Sequence, residues 1–521
     1  MSEHAASDRF HEQLPKNLIA NVANFLISII IGIFLVPYFI GTLGIAAYGL
    51  IPLTSAIMGY VAIIIQSLDT TVSRYLIIDL QNGDFPAANR TFNTAFLCLS
   101  LIIALMIPVV LVVSYFIPVI FNVPAGQETG TIILFICASG AFFLRSLNGT
   151  YTVQLFACNR IDYINLVNIV NFLVQVILIV IFFSLKGPTL EYVGFAYIGG
   201  ALVSSAVAIV LAKKTCPYLF LSIRSFDRTR IQDLWNMGGW VFIHEIGALL
   251  FIQIDLIVVN LVFGAVSSGE YAIPLQLVYQ LRVLAVVFTG VLTPMILTFY
   301  AREKIGTMIR VSQSSVKLMG LIMALPLGLI CGFAPQILTI WVGSKYAFLA
   351  PLLVLMAVPL IVNIPIMPVF SIRIAYNRVK IPAFVSLFMG FGNFVLALLL
   401  ALYSGWGYYG IAVAGGVMLT LTNSFFNPWY AARILKIPTQ NLVKPIVPGI
   451  LAMAGIIGVA FIISSVVHLT SFPLFLGVIL IFCGVYSLAL VFWGLDNFER
   501  NLLHSYIPES LRRFFKYSDI E

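Results

Sequence analysis

The sequence predicts an all-α polytopic membrane protein of about 14 transmembrane helices, in two six-helix bundles related by a pseudo-twofold axis along the membrane normal, with two further helices at the C-terminal end. Three observations predict it. The 521 residues are 61% hydrophobic and 9% charged, with a mean hydropathy of +1.05, whereas a water-soluble chain carries about 25% charged residues. Apolar runs long enough to cross about 30 Å of hydrocarbon succeed one another, with nothing between them long enough for a soluble domain. Basic residues alternate between rich and poor connections along the whole chain.

The elements follow in order. Residues 1–16 form a polar N-terminal segment on the cytoplasmic side; the segment lacks a signal-peptide layout, so the first span is expected to remain as an anchor, with Phe10 to Leu18 as an amphipathic turn at the interface. The N-terminal bundle, 17–212, holds spans at 17–40, 45–67, 91–117, 130–157, 162–184 and 191–212. A basic cytoplasmic loop at 213–233, containing "LSIRSFDRTRIQDL", separates it from the C-terminal bundle, 234–432. That bundle holds spans at 234–262, 267–296, 315–340, 348–372, 380–403 and 407–432. Two extra spans, 446–467 and 473–494, make up the segment 446–494. The tail, 495–521, alternates apolar and basic residues at helical spacing and is expected on the anionic inner leaflet.

By these spans 24 of the 28 lysines and arginines fall on one side and only Lys186 and Lys345 on the other; Arg145 and Arg282 lie inside spans. The rich side is expected to be cytoplasmic, which puts both termini inside and the protein in the plasma (inner) membrane. The net charge of +8 therefore reports topology, and the scatter of basic residues among apolar spans argues against nucleic acid as a partner. Cys98, Cys137, Cys158, Cys216, Cys331 and Cys483 form no CxxC pair and mostly lie in spans, which argues for core residues and against a disulfide framework or zinc site. No GxxxxGK[ST] stretch is present, so an ion gradient, membrane potential or consumption of product must drive any transport. Outer connections are short, the longest near Pro118 to Gly130, and leave no room for the large outer loops of membrane-embedded glycosyltransferases. The expectation is a non-enzyme without cofactor or metal.

An internal repeat supports two halves. "FIGTLGIAAYGLIPL" follows the first span and "VFGAVSSGEYAIPLQL" the seventh, with Gly41 and Tyr48 matching Gly264 and Tyr271 at equal separation and a proline, Pro52 or Pro274, after each tyrosine. An even number of spans lies between the copies, so they share orientation.

These stretches, with "LIVVNLVFGAVSSGEYAIPLQLVYQLRVLAVVFTGVLTPMI" and "LVPYFIGTLGIAAYGLIPLTSAI", resemble the polysaccharide-export branch of the multidrug/oligosaccharidyl-lipid/polysaccharide exporter superfamily, over essentially the whole chain. The resemblance implies a Wzx-type flippase, of the kind that serves O-antigen and other lipid-linked oligosaccharides. Its partners would be a polyprenyl-diphosphate-linked saccharide, the lipid bilayer and other polysaccharide-assembly membrane proteins. The two added helices resemble the lipid II flippase branch as well. The first span, however, offers Asn21 and Asn24 where that branch carries basic residues. A drug antiporter of the same superfamily is the alternative, and a membrane-bound glycan-processing enzyme a third reading.

Candidate site residues are the ionisable ones at mid-depth, because a charge in the bilayer centre costs several kcal/mol unless it faces a cavity or a partner. In "WVFIHEIGALLFIQID", His244 and Glu245 fall near the midplane and Asp255 near the outer rim; Arg282 and Arg145 arrive at mid-depth on neighbouring spans. Arg145, Arg282, Glu245 and His244 are expected to line a central cationic cavity, with Asp255 at its outer mouth as a gating or ion-coupling residue. Two guanidinium groups suit a diphosphate, since each pairs two oxygens and keeps its charge when desolvated. A structural bridge between Glu245 and Arg282 stands beside that reading. "HEIGA" has Ala248 where a zinc protease needs a second histidine. Asn148, Gln154, Asn168, Asn171, Gln175, Gln276, Gln280, Asn363, Asn393 and Asn423 recur within spans and suit either a wet path or interhelical hydrogen bonds.

Overall fold

In hydrocarbon a backbone has no water to bond, so each apolar run closes its hydrogen bonds within one helix. The computed structural model of the chain describes residues 3–81, 83–217, 219–222, 225–227, 246–247, 249–250, 253–467, 469 and 471–504, and among these there is no strand. The spanning helices are α1 (Glu3–Leu43), α2 (Ile45–Gln81), α3 (Phe85–Ile120), α4 (Glu128–Ala157), α5 (Ile161–Lys186) and α6 (Leu190–Thr215). The helix Ile254–Ala301 breaks at Gly264, whose φ of 88° favours glycine, into α7 (254–263) and α8 (265–301). Then come α9 (Ile305–Gly332), α10 (Ser344–Asn363), α11 (Lys380–Tyr403), α12 (Tyr408–Leu435), α13 (Gln440–Val466) and α14 (Phe472–Gly494). Thirteen described helices are long and apolar enough to cross a membrane, against about 14 spans expected; most of residues 234–253, where the expected seventh span begins, lie outside the described residues.

Boundaries differ where proline or amphipathicity intervenes. The ninth span was expected to run to 340, but α9 ends at Gly332 and a separate short helix, Ala334–Val342, starts with Pro335 in its first turn. The tenth span, expected at 348–372, ends at Asn363 and gives way to a short helix, Phe370–Ala375, across Pro365 and Pro368. In the other direction, α2 continues past 67 to Gln81, because "TTVSRYLIIDLQ" extends the same helix.

Contacts gather the chain into two compact units. One comprises Met1–Leu277 with Val379–Met418, the other Val278–Arg378 with Leu419–Glu521. In the first, α2, α3 and α4 bury Met58, Ile65, Leu99, Ile103, Phe135 and Phe143 against one another. Polar side chains tie the helix ends: Asn17 of α1 donates to Asn159 O and accepts from Asp162 N, while Gln13 Nε2 donates to Asp162 Oδ1. Asn89 and Asn93 of α3 bond the backbone of Phe220 and Ser222, strapping the start of the 213–233 segment to α3. Cys158 and Cys216, expected as separate core residues, come together at the ends of α4 and α6; their separation of 58 residues hid the pair from a spacing argument.

The repeat register also needs correction. The glycines that break the helices are Gly44 and Gly264, not Gly41 and Gly264, and Gly41 lies inside α1. Five residues on, Gly49 of α2 and Gly269 of α8 stand in the same relation, and they meet: a Cβ on Gly49 would lie 2.6 Å from Gly269 N, and one on Gly269 would strike Ile45 O. The glycine pair is what allows α2 and α8 to cross backbone to backbone.

In the second unit, α9 is the centre of packing, with Leu329 and Phe333 against Ile456, Ala460 and Phe475 of α13 and α14. The start of the tail, expected on the lipid surface, forms a helix, Asn497–His504, that docks on α9. Lys317 Nζ lies 2.8 Å from Glu499 Oε2, and Arg310 covers the ring of Phe498 at 4.2 Å. Pairing with Lys317 is what allows the Glu499 carboxylate to be buried there.

Candidate functional site

The stretch "GAFFLRSLNGT" folds as the middle of α4. Phe143 and Ser146 face inward among neighbouring helices, and Arg145 is solvent-accessible although it lies mid-helix within the unit, because what it faces is a cavity. Two cavities of the first unit meet at this side chain. The first, of about 390 Å³, lies between α2, α4, α5 and α6; its wall carries Asn148, Thr152, Asn168, Asn171, Ser204 and Ser205. The second, of about 370 Å³, shares Ala62, Phe142 and Arg145 with it and is walled mostly by small or apolar groups such as Met58, Ala138 and Ala141, with Ser55, Gln175 and Tyr197. Among the described residues Arg145 makes no hydrogen bond or ion pair. An uncompensated guanidinium inside an apolar protein is costly, and a wet or ligand-filled cavity is what offsets that cost.

Asp255 has a different setting. It lies in the first turn of the described part of α7, and Tyr271 of α8, wholly buried, donates from its hydroxyl to Asp255 Oδ2 at 3.2 Å. Asn393 of α11 donates to Asp255 Oδ1 at 3.5 Å and to Leu250 O at 3.2 Å, and Gly415 of α12 faces the same carboxylate. Four helices thus converge on one acid, and two of them stabilise its charge with donors. Six residues beyond Gly264, Glu270 Oε2 accepts from Tyr408 at 3.3 Å, and Tyr408 stacks on Tyr409.

The structure sorts the polar residues that the sequence left open. Gln154 spends its amide on the carbonyls of Ala212 and Cys216, and Asn363 bonds Pro359 O, Thr420 and Ser424, so both are interhelical ties. Asn148, Asn168 and Asn171 line the Arg145 cavity. Tyr271, marked only by the repeat, and Asn393, marked only as polar, turn out to hold Asp255. Ser204, Ser205 and Thr152 carried no sequence signal, because a lone hydroxyl in a helix usually bonds its own backbone. Arg282 lies in α8 and belongs to the second unit, whereas His244 and Glu245 lie outside the described residues, so the four-residue cationic cluster stays a proposal.

Known proteins share this architecture. The polysaccharide biosynthesis protein family matches over residues 14–300. The membrane protein EpsK of Bacillus subtilis (strain 168), described as uncharacterized, is 31% identical over 479 residues, covering 91% of this chain and 95% of EpsK. An inward-facing multidrug resistance MATE family transporter of the MOP superfamily aligns with a TM-score of 0.68 at 13% identity, over 79% of this chain and 96% of its own. The lipid II flippase MurJ, in an inward closed conformation, aligns with a TM-score of 0.63 at 16% identity, over 94% of this chain and 99% of its own. At these identities the two structures establish the all-α polytopic fold, and the extent of the family match and of the EpsK identity carries the assignment further: the chain belongs to the polysaccharide biosynthesis protein family.

Proposed function

We propose that the protein is a flippase that moves a polyprenyl-diphosphate-linked oligosaccharide from the inner to the outer leaflet by alternating access, for cell-surface polysaccharide assembly. It would work in the plasma membrane with both termini in the cytoplasm. The observation that carries the reading is Arg145: a guanidinium without a protein partner among the described residues, deep in the first unit and between two cavities. A permanently charged planar group that the fold leaves open is suited to a diphosphate, the one strongly anionic part of such a substrate. Arg282, Glu245 and His244 would join it from the C-terminal half, and Asp255, held by Tyr271 and Asn393, would serve in gating or ion coupling. Membership of a polysaccharide biosynthesis family and the likeness to a lipid II flippase favour this substrate class over a small cationic drug, which would call for an acidic cavity.

The test reconstitutes the full chain into liposomes with undecaprenyl-diphosphate-N-acetylglucosamine in the inner leaflet and follows its capture by an external lectin. Capture well above that of protein-free liposomes is expected. Capture no faster than the protein-free rate across a set of such sugars, with an ion gradient applied in either direction, would contradict the proposal.

A further inference from the structure

A flippase reading accounts for Arg145 but leaves the wall beside it unexplained. That wall carries two buried groups without partners: Asn171 Nδ2, in a side chain 1% exposed, and Ser205 Oγ, in one 8% exposed. A buried donor left unmade costs about 1–3 kcal/mol, so native proteins rarely keep one without a ligand or water to take it up. Asn171 Oδ1 accepts from Gln175 and Ser204, which fixes the amide in place with its nitrogen unengaged. Opposite, Asn148 donates to Leu144 O of its own helix, which leaves its amide oxygen as an acceptor. Among the described residues, the cavity wall has no charged side chain apart from Arg145.

The described wall therefore offers both neutral donors and neutral acceptors beside the Arg145 cation. A phosphate oxygen accepts only and gains nothing from an acceptor facing it. A sugar hydroxyl donates and accepts at once, and a ring with several hydroxyls can engage both kinds of group. The volume, about 390 Å³, is within the range of small-molecule pockets.

We infer that this chamber of α2, α4, α5 and α6 is the subsite for the first, neutral sugar of the lipid-linked saccharide, with Asn171 and Ser205 as its hydrogen-bonding wall and Arg145 at the edge facing the diphosphate. The inference rests on the proposed function and adds the part of the substrate that this unit reads.

The experiment measures binding to the full chain in phosphatidylethanolamine/phosphatidylglycerol nanodiscs. The probes are citronellyl diphosphate and the same lipid carrying N-acetylglucosamine, glucose or galactose. Wild type should bind at least one sugar-bearing probe more tightly than the bare diphosphate. Ser205→Ala removes no internal hydrogen bond, so the fold should be kept, and an unchanged unfolding midpoint checks this. It should weaken the preferred sugar-bearing probe about fivefold and leave the bare diphosphate unchanged. Asn171→Ala should act in the same direction, and Arg145→Ala should weaken all probes. Equal binding of bare and sugar-bearing probes by wild type, or a Ser205→Ala effect that is absent or equal for both, overturns the sugar subsite while leaving the flippase reading intact. Failure of wild type to bind any of the probes removes both.

Discussion

Arg145 and Asp255 lie in the same compact unit, each in an apolar helix, yet their surroundings are opposite. Asp255 is engaged by a wholly buried tyrosine and by an asparagine from other helices, so its charge is part of how α7, α8 and α11 hold together. Arg145 has no such partner among the described residues and borders two cavities. The difference shows how to tell a charge the fold uses from a charge the fold presents. An engaged acid should register first in stability, and a presented base first in transport. Glu499, buried against Lys317 in the other unit, belongs with Asp255 on this criterion.

The comparison can be broken by measuring the two effects separately. Asp255→Ala leaves the Tyr271 hydroxyl and the Asn393 amide without this acceptor, so thermal or denaturant unfolding in detergent should show a loss of about 3 kcal/mol. Arg145→Ala in the same assay should be neutral or slightly stabilising, because it removes an uncompensated cation. A larger loss for Arg145 than for Asp255 would reverse the assignment.

A smaller effect sharpens the Asp255 side. Tyr271→Phe removes one donor to a charged group and should cost about 2 kcal/mol, and in the background of Asp255→Asn its cost should fall by more than half. Additive losses would mean that the hydroxyl and the carboxylate do not work as a pair.

Arg282 can be placed on one side of the comparison or the other. If Glu245 is its structural partner, Glu245→Gln should lower stability by about 1–3 kcal/mol, and adding Arg282→Gln should restore much of the stability and the transport. If Arg282 presents its charge to the substrate, the double variant should fold and fail to transport. The smallest effect is expected from a cysteine at Ser225. It should leave both stability and transport unchanged and react with an impermeant reagent only from the cytoplasmic side; labelling in intact cells would overturn the assigned orientation.

Much of the fold was legible because bilayer thickness imposes a length on every apolar run. What hydropathy misread has local causes. Pro335, Pro365 and Pro368 interrupt helices inside apolar runs, and the polar end of α2 is helical although it is not apolar. The repeat slipped by three residues because an apolar pattern tolerates slippage, whereas the meeting of Gly49 and Gly269 does not. Within the site, Arg145 stood out because a lone charge in a span is rare. Asn171 and Gln154 looked alike, since a neutral amide inside a helix serves an interhelical bond or a cavity equally well, and only the positions of α5 and α6 separate the two.

The central claim is that the fold presents Arg145 to an anion. Its most direct test is transport of undecaprenyl-diphosphate-N-acetylglucosamine in liposomes, normalised to folded protein, for wild type, Arg145→Lys and Arg145→Ala. A partial loss with lysine, which keeps the charge without the planar fork, and near-abolition with alanine are predicted. An alanine variant that transports at the wild-type rate per folded molecule would contradict the claim.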